Sequence, residues 1–247
     1  MKKTTGNFMV SRLLTLSLAL VGTWAQAEEK KPDNEVSFNA ALTTDYRYRG
    51  ISQTRLKPAL QGGMDYIHNP SGFYAGAWAS TIKWVTDAGG DGNVEIDLYG
   101  GKKGEIAKDV SYDVGLLTYI YPSNSLKPSA NTTEVYGQIG FGPAFVKYSY
   151  ALTNVFGFAD SKRSGYLDVG ANIDLTGGYT LNLHAGHQSV RNNSAFSYSD
   201  YKVGITKDLG VASVAFALYR ASTDVYVGRD AKNLGKTGAA LSVSKTF

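Results

Sequence analysis

With 247 residues and no cysteine, the chain excludes disulfide frameworks, thiolate metal sites and cysteine nucleophiles at the outset. Three of its 25 basic residues, Lys2, Lys3 and Arg12, sit in an amino-terminal export segment; without them 22 basic residues face 21 acidic ones, a net of +1 that gives no case for nucleic-acid binding. Seventeen Tyr, 28 Gly, 6 Pro and a mean hydropathy of −0.20 suit strands with one wet face rather than a bundle of membrane helices.

The first predicted element is the export segment. After its basic residues come Leu13, Leu14, Leu16, Leu18, Ala19, Leu20 and Val21, and Ala25-Gln26-Ala27 then supplies the small-x-small pattern of a signal-peptidase site, with cleavage after Ala27. The apolar run is shorter than the ~20 residues a spanning helix needs. Removing 27 of the 247 residues leaves 220, and no linker or compositional break divides them, so 28–247 is expected to form one domain.

From Val36 onward apolar and polar residues alternate in segments of about ten, the period of strands with two different faces. In the first of them Val36, Phe38, Ala40, Leu42, Tyr46 and Tyr48 fall on one face. Ser37, Asn39, Thr43, Asp45, Arg47 and Arg49 fall on the other. The pattern predicts twelve strands: 36–49, 59–67, 72–83, 93–101, 109–121, 132–141, 144–152, 165–175, 178–190, 199–207, 211–221 and 237–247. An even number, with no helical stretch to cover the apolar faces, predicts an all-β fold: a transmembrane antiparallel up-and-down β-barrel.

Connection lengths test that count separately. Tight turns rich in Gly, Pro, Asn and Asp at 69–71, 142–143, 176–177 and 208–210 alternate with longer polar connections at 50–58, 84–92, 122–131, 153–164, 191–198 and 222–236. Only 102–108 is long for a tight turn. If odd-numbered strands run outward, Tyr46, Tyr48, Tyr148, Tyr150 and Tyr201 form an aromatic girdle at the outer ends of the lipid face. Tyr66, Phe73, Tyr112, Phe141, Tyr179 and Phe247 form one at the inner ends, whereas Tyr74, Trp78 and Trp84 point inward. The last strand carries Ala239, Leu241, Val243 and the terminal Phe247 on one face, resembling the signal by which the barrel-assembly machinery recognises its substrates. Lys245 departs from that pattern, though its stem can lie in lipid while its ammonium reaches the headgroups.

The opposite face collects Asp45, Arg47, Arg49, Asp65, Glu95, Asp97, Asp113, Glu134, Lys147, Asp168, Asp174, His184 and Lys202. A charge against lipid at mid-membrane costs ~2–4 kcal/mol and little in a wet lumen, so these residues are expected to line the lumen. Their surplus of acids leans toward cationic or zwitterionic solutes. Equally, Arg47 and Arg49 can pair with carboxylates of neighbouring strands and fill the narrow interior. His184 and His187, three apart on a strand, fall on opposite faces, and His68 lies at a turn, so neither shared metal ligation nor a catalytic triad is indicated. The acidic, Gly-rich run Asp87 to Asn93 lacks the ligand spacing of a calcium loop and reads as a solvated turn. No cofactor is expected.

The runs Thr44-Asp45-Tyr46-Arg47-Tyr48-Arg49-Gly50-Ile51-Ser52-Gln53-Thr54, Pro58-Ala59-Leu60-Gln61-Gly62-Gly63 and Asp65-Tyr66, with Ser71-Gly72-Phe73-Tyr74-Ala75-Gly76, Trp78-Ala79-Ser80 and Glu95-Ile96-Asp97-Leu98-Tyr99-Gly100-Gly101, resemble the TorF-type porin family of proteobacteria. The motifs cover about the first third of the chain beyond Ala27; the remainder matches by strand pattern. The resemblance implies an outer-membrane barrel of a Gram-negative bacterium, in contact with outer-membrane lipid and lipopolysaccharide, and supplies no catalytic or ligand residues. The expectation is a channel for small polar or charged solutes. The alternatives are a plugged barrel acting as receptor or adhesin through its outer loops, a barrel hydrolase using His184, and a soluble exported sandwich or lipocalin.

Overall fold

A computed structural model describes residues 32–247, so the export segment with Ala25 and Ala27 lies outside the described residues. The elements in chain order begin with β1 (Asn34–Thr43), the two-residue strands β2 (Arg47–Tyr48) and β3 (Ile51–Ser52), β4 (Ala59–His68), β5 (Phe73–Thr81), the single helical turn α1 (Trp84–Asp87), β6 (Val94–Ala107) and β7 (Val110–Ile120). Then follow β8 (Thr132–Phe141), β9 (Ala144–Ala151), β10 (Gly165–Asp174), β11 (Tyr179–Ser189), β12 (Tyr198–Asp208), β13 (Ser213–Ala221) and β14 (Gly238–Thr246).

Twelve of these strands close into one antiparallel barrel, each paired with its chain neighbours and β1 pairing with both β4 and β14. The seam registers Asn39 on Thr246 and Thr43 on Ser242, and the Phe247 N–H donates to the Phe38 carbonyl (2.8 Å). Closure satisfies every wall strand on both sides, which an open sheet cannot do.

The period of two sets the two faces. On β8 Thr132, Glu134, Tyr136 and Gln138 are buried in the interior, whereas Val135 and Phe141 stand exposed outside. Every wall strand repeats the pattern, so Val36, Leu60, Leu98, Leu116, Val146, Val169, Val203 and Leu218 contribute to an apolar band around the outside. The interior is divided. Tyr74, Trp78, Tyr99, Leu117, Tyr119, Tyr121 and Tyr136 pack a buried aromatic cluster against β5 to β8, whereas β13, β14 and β1 present Ala215, Ser242, Ser244, Asn39 and Ala41.

The ends of the barrel differ as the connection lengths predict. Short turns at 69–72, 108–109, 142–143, 175–178 and 209–212 share one end with the start of β1 and the end of β14, and the longer segments 44–58, 82–93, 121–131, 152–164, 190–197 and 222–237 share the other. The segment 102–108 is strand rather than loop: β6 continues to Ala107, and Asp109 in the left-handed region (φ 61°) makes the reversal.

One correction alters the interior. The first strand does not run to Arg49; its wall portion ends at Thr43, and 44–58 folds back inside the barrel mouth as a hairpin of β2 and β3. Tyr46 and Tyr48 therefore leave the predicted outer girdle. Tyr46 is 6% exposed and meets Trp78 edge-on at 5.5 Å, and Tyr48 packs on Tyr119 and Phe156. Tyr148 and Tyr201, at 50% and 51% exposure, do stand on the outer face. Nor is 87–93 simply a solvated turn, because Asp87 closes α1 and its carboxylate accepts from the Arg55 Nε (2.8 Å).

Candidate functional site

The inward hairpin begins with a short polar lock. Thr43, the last wall residue of β1, donates from its hydroxyl to the Asp45 carbonyl (3.1 Å), turning the chain off the wall. The buried Asp45 carboxylate then accepts from Ser52 Oγ (2.5 Å) and Arg47 Nε (2.5 Å). The Tyr46 N–H donates to Thr54 Oγ1 (3.2 Å), whose own hydroxyl donates to the Lys57 carbonyl (2.6 Å). Arg47 Nη1 reaches the Leu234 carbonyl (2.8 Å), tying the hairpin to the connection before β14.

At the tip, Arg49 (φ 45°) and Gly50 (φ 76°) are the two central residues of a two-residue reversal with both φ positive. Gly50 has no substitute there, since a Cβ would stand 2.6 Å from the Asp200 Cβ on β12. Arg49 is not a residue that favours this region, at a strain of ~1–2 kcal/mol. Its conformation carries the guanidinium deep into the barrel. There Nη2 donates to Glu134 Oε2 (2.6 Å) and Nη1 to Gln188 Oε1 (2.5 Å), while Cζ sits 4.2 Å from the Tyr166 ring centroid, 4.8 Å from that of Tyr48 and 5.9 Å from that of Phe156. Burial is the largest influence and disfavours its charge, but the Glu134 carboxylate together with the neighbouring Tyr48 and Tyr119 outweighs it and raises the Arg49 pKa well above its ordinary value.

Around this tip the wall carries a tyrosine–carboxylate network. Tyr46 Oη donates to Glu95 (2.6 Å), Tyr74 Oη to Asp113 (2.6 Å), Tyr99 Oη to Asp65 (2.5 Å) and Tyr166 Oη to Asp200 (2.9 Å). His184 is held on both ring nitrogens, Nδ1 by Asp168 (2.8 Å) and Nε2 by Asp200 (2.7 Å). That leaves neither nitrogen free to serve a hydroxyl nucleophile. Lys147 Nζ lies 3.9 Å above the Tyr136 ring and Lys202 Nζ 5.9 Å from that of Tyr219. Asp97 differs from the other acids: fully buried, it accepts no hydrogen bond from any described residue.

Of the thirteen residues expected in the lumen, Asp174 stands exposed at the end of β10, accepting from Thr180 Oγ1 (3.1 Å), and the other twelve lie inside the barrel by two routes. Asp65, Glu95, Asp97, Asp113, Glu134, Lys147, Asp168, His184 and Lys202 belong to wall strands, whereas Asp45, Arg47 and Arg49 arrive on the inserted hairpin. The structure joins Arg49 to Glu134 and His184 to Asp168; Asp65 and Asp113 lie apart from these pairs, each on its own tyrosine. Asp200, Gln188, Tyr166 and Phe156 escaped sequence reasoning. The first two were accessible to it, because Asp200 shares the parity of Lys202 and Gln188 that of His184. Phe156 lies in a long connection without periodicity.

Residues 26–247 match a family model described as a bacterial protein of unknown function, Gcw_chp. The chain belongs to the Gcw_chp family. No curated protein matches it. Among solved structures, this Gcw_chp barrel is similar to the KdgM porin (TM-score 0.54, 6% identity, 86% of this chain and 97% of that one) and to the NanC porin (TM-score 0.54, 8% identity, 86% and 98%). Outer membrane phospholipase A from Escherichia coli aligns more loosely (TM-score 0.43, 12% identity, 90% and 93%). At these identities the two porins share this chain's fold.

Proposed function

We propose that this Gcw_chp protein is a channel of the Gram-negative outer membrane, passing small polar or charged solutes through a lumen narrowed by residues 44–58. The observation that carries the proposal is the segregation of charge: along the middle of the twelve wall strands the charged side chains face inside and an apolar band faces outside, while the outward Lys102, Lys207, Arg220 and Lys245 lie near the barrel ends, which suits lipid around and water within. The porin folds of its structural neighbours, the runs that resemble the TorF-type family and the expected export signal ending at Ala27 support the same reading. Lipid and lipopolysaccharide are then the surroundings of residues 28–247, and the strand ending at Phe247 is the handle for the barrel-assembly machinery. Reconstitution of the refolded protein into planar bilayers tests the proposal. Reproducible conductance steps support it, and their absence in properly folded, heat-modifiable protein removes it.

A second reading draws on the inserted hairpin itself. Its tip and the aromatic cluster occupy much of the loop end, as a plug would in a barrel that works as a surface receptor through its outer loops. Deleting 222–237 then abolishes ligand capture without altering conductance. A hydrolase is disfavoured by the double carboxylate hold on His184.

A further inference from the structure

The surroundings of Arg49 have the form of a ligand site. Three of its partners are wall residues that stand independently of the hairpin: Glu134 on β8, Tyr166 on β10 and Gln188 on β11. The two oxygens engage different nitrogens of one planar fork, and the Tyr166 ring lies against it at 4.2 Å. This arrangement matches the directional donors and weak hydration of a guanidinium, which an ammonium cannot reproduce. The occupant arrives on a strained tip, at φ 45°, carried by a segment outside the hydrogen-bonded wall.

We propose that Glu134, Gln188 and Tyr166 form a binding site for guanidinium-bearing cationic solutes, filled in this structure by the protein's own Arg49. The solute's route to the site rests on the channel reading; the site itself does not. Asp97 adds an independent observation. Its carboxylate is fully buried and without a hydrogen-bond donor among the described residues, and its register partner Tyr119 donates to Glu134 Oε2 (3.3 Å). A second acid thus stands beside the tyrosine that binds Glu134, outside the hydrogen-bonded network, and a buried carboxylate without a partner is an unfavourable arrangement that a cation relieves.

The test is calorimetric titration of methylguanidinium chloride into the detergent-solubilised barrel as wild type, R49A and R49A/E134Q. R49A is expected to bind about tenfold or more tightly than wild type, E134Q to cancel that gain, and propylammonium to bind R49A about tenfold more weakly than methylguanidinium does. Equal affinity of wild type and R49A, insensitivity to E134Q, or equal affinity for the two cations overturns the proposal. If R49A fails to migrate as a heat-modifiable barrel, R49K replaces it; its ammonium does not fill both positions of the fork, and wild-type affinity for methylguanidinium in R49K overturns the site equally. Bilayer conductance of the same samples separates the two readings. Binding without current upholds the site and removes the channel, and current without binding does the reverse.

Discussion

Replacing Gly50 with alanine is expected to drive the hairpin out of the barrel. The residue sits at φ 76°, where an L side chain costs ~1–2 kcal/mol. The added Cβ would also stand 2.6 Å from the Asp200 Cβ and 3.3 Å from the Ala221 Cβ, and overpacking of this kind costs ~1–3 kcal/mol. Both penalties fall on the inserted state alone, because a withdrawn segment 44–58 relaxes its φ and leaves the wall. Together they amount to ~2–5 kcal/mol, a shift of ~30-fold to ~5,000-fold toward the withdrawn state. Trypsin cleavage after Arg47 and Arg49, protected in the inserted hairpin, reads that shift, and single-channel current reads the widening. Gly89→Ala is the control, since its φ of 93° carries the same backbone strain with nothing within 4 Å of the new Cβ. Equal protease protection in G50A and wild type, with unchanged current, would refute the idea that contact at the tip holds the hairpin inside.

Four further substitutions probe the same architecture. Val203→Arg, on the outer face of β12, should lower stability to urea in lipid by ~2–4 kcal/mol, whereas Ser244→Arg, facing the interior of β14, should change it by less than ~1 kcal/mol; equal effects would contradict the assignment of faces. Trp78→Ala removes the buried ring that meets Tyr46 edge-on and should destabilise the barrel by ~3–5 kcal/mol in equilibrium urea unfolding. Arg47→Ala leaves the buried Asp45 carboxylate without its cation and cuts the tie to the Leu234 carbonyl. At ~3–5 kcal/mol for a broken buried pair, trypsin cleavage after Arg49 should accelerate while heat-modifiable migration of the barrel persists.

The wall was legible because its determinants are local. A period of two places Val135 outside and Glu134 inside whatever the neighbouring strand is, and Gly142-Pro143 forces a reversal with two residues. The twelve strands, their order and the inward direction of Glu95, Asp97, Asp168 and Lys202 follow from such signals. Pairings across the lumen do not. Arg49 meets Gln188 across 139 positions of sequence and Arg47 meets Leu234 across 187, and nothing in the spacing of either arginine marks its partner. The tyrosine–carboxylate bonds were equally hidden, because Tyr46, Tyr74 and Tyr99 carry the same residue type that an outer girdle uses.

The overrun of the first predicted strand has a specific cause. Alternation continues without interruption through Thr43, Asp45, Arg47 and Arg49, although the wall ends at the first of them. The hairpin is itself two-faced, and its apolar side meets a second apolar environment that a simple lipid-or-water division omits: the aromatic cluster of Trp78, Tyr119, Tyr121 and Phe156 inside the barrel. A period of two thus reports that a segment separates two environments, and not which two. Position in the sequence decides between them here. Asp45, Arg47 and Arg49 fall within five residues, more charged side chains than any inward run of equal length on the predicted strands, and two adjacent residues with positive φ cannot continue a wall. Charge crowding at the mouth end of an otherwise regular strand is therefore the sequence mark of a segment that has turned inward to find its partners.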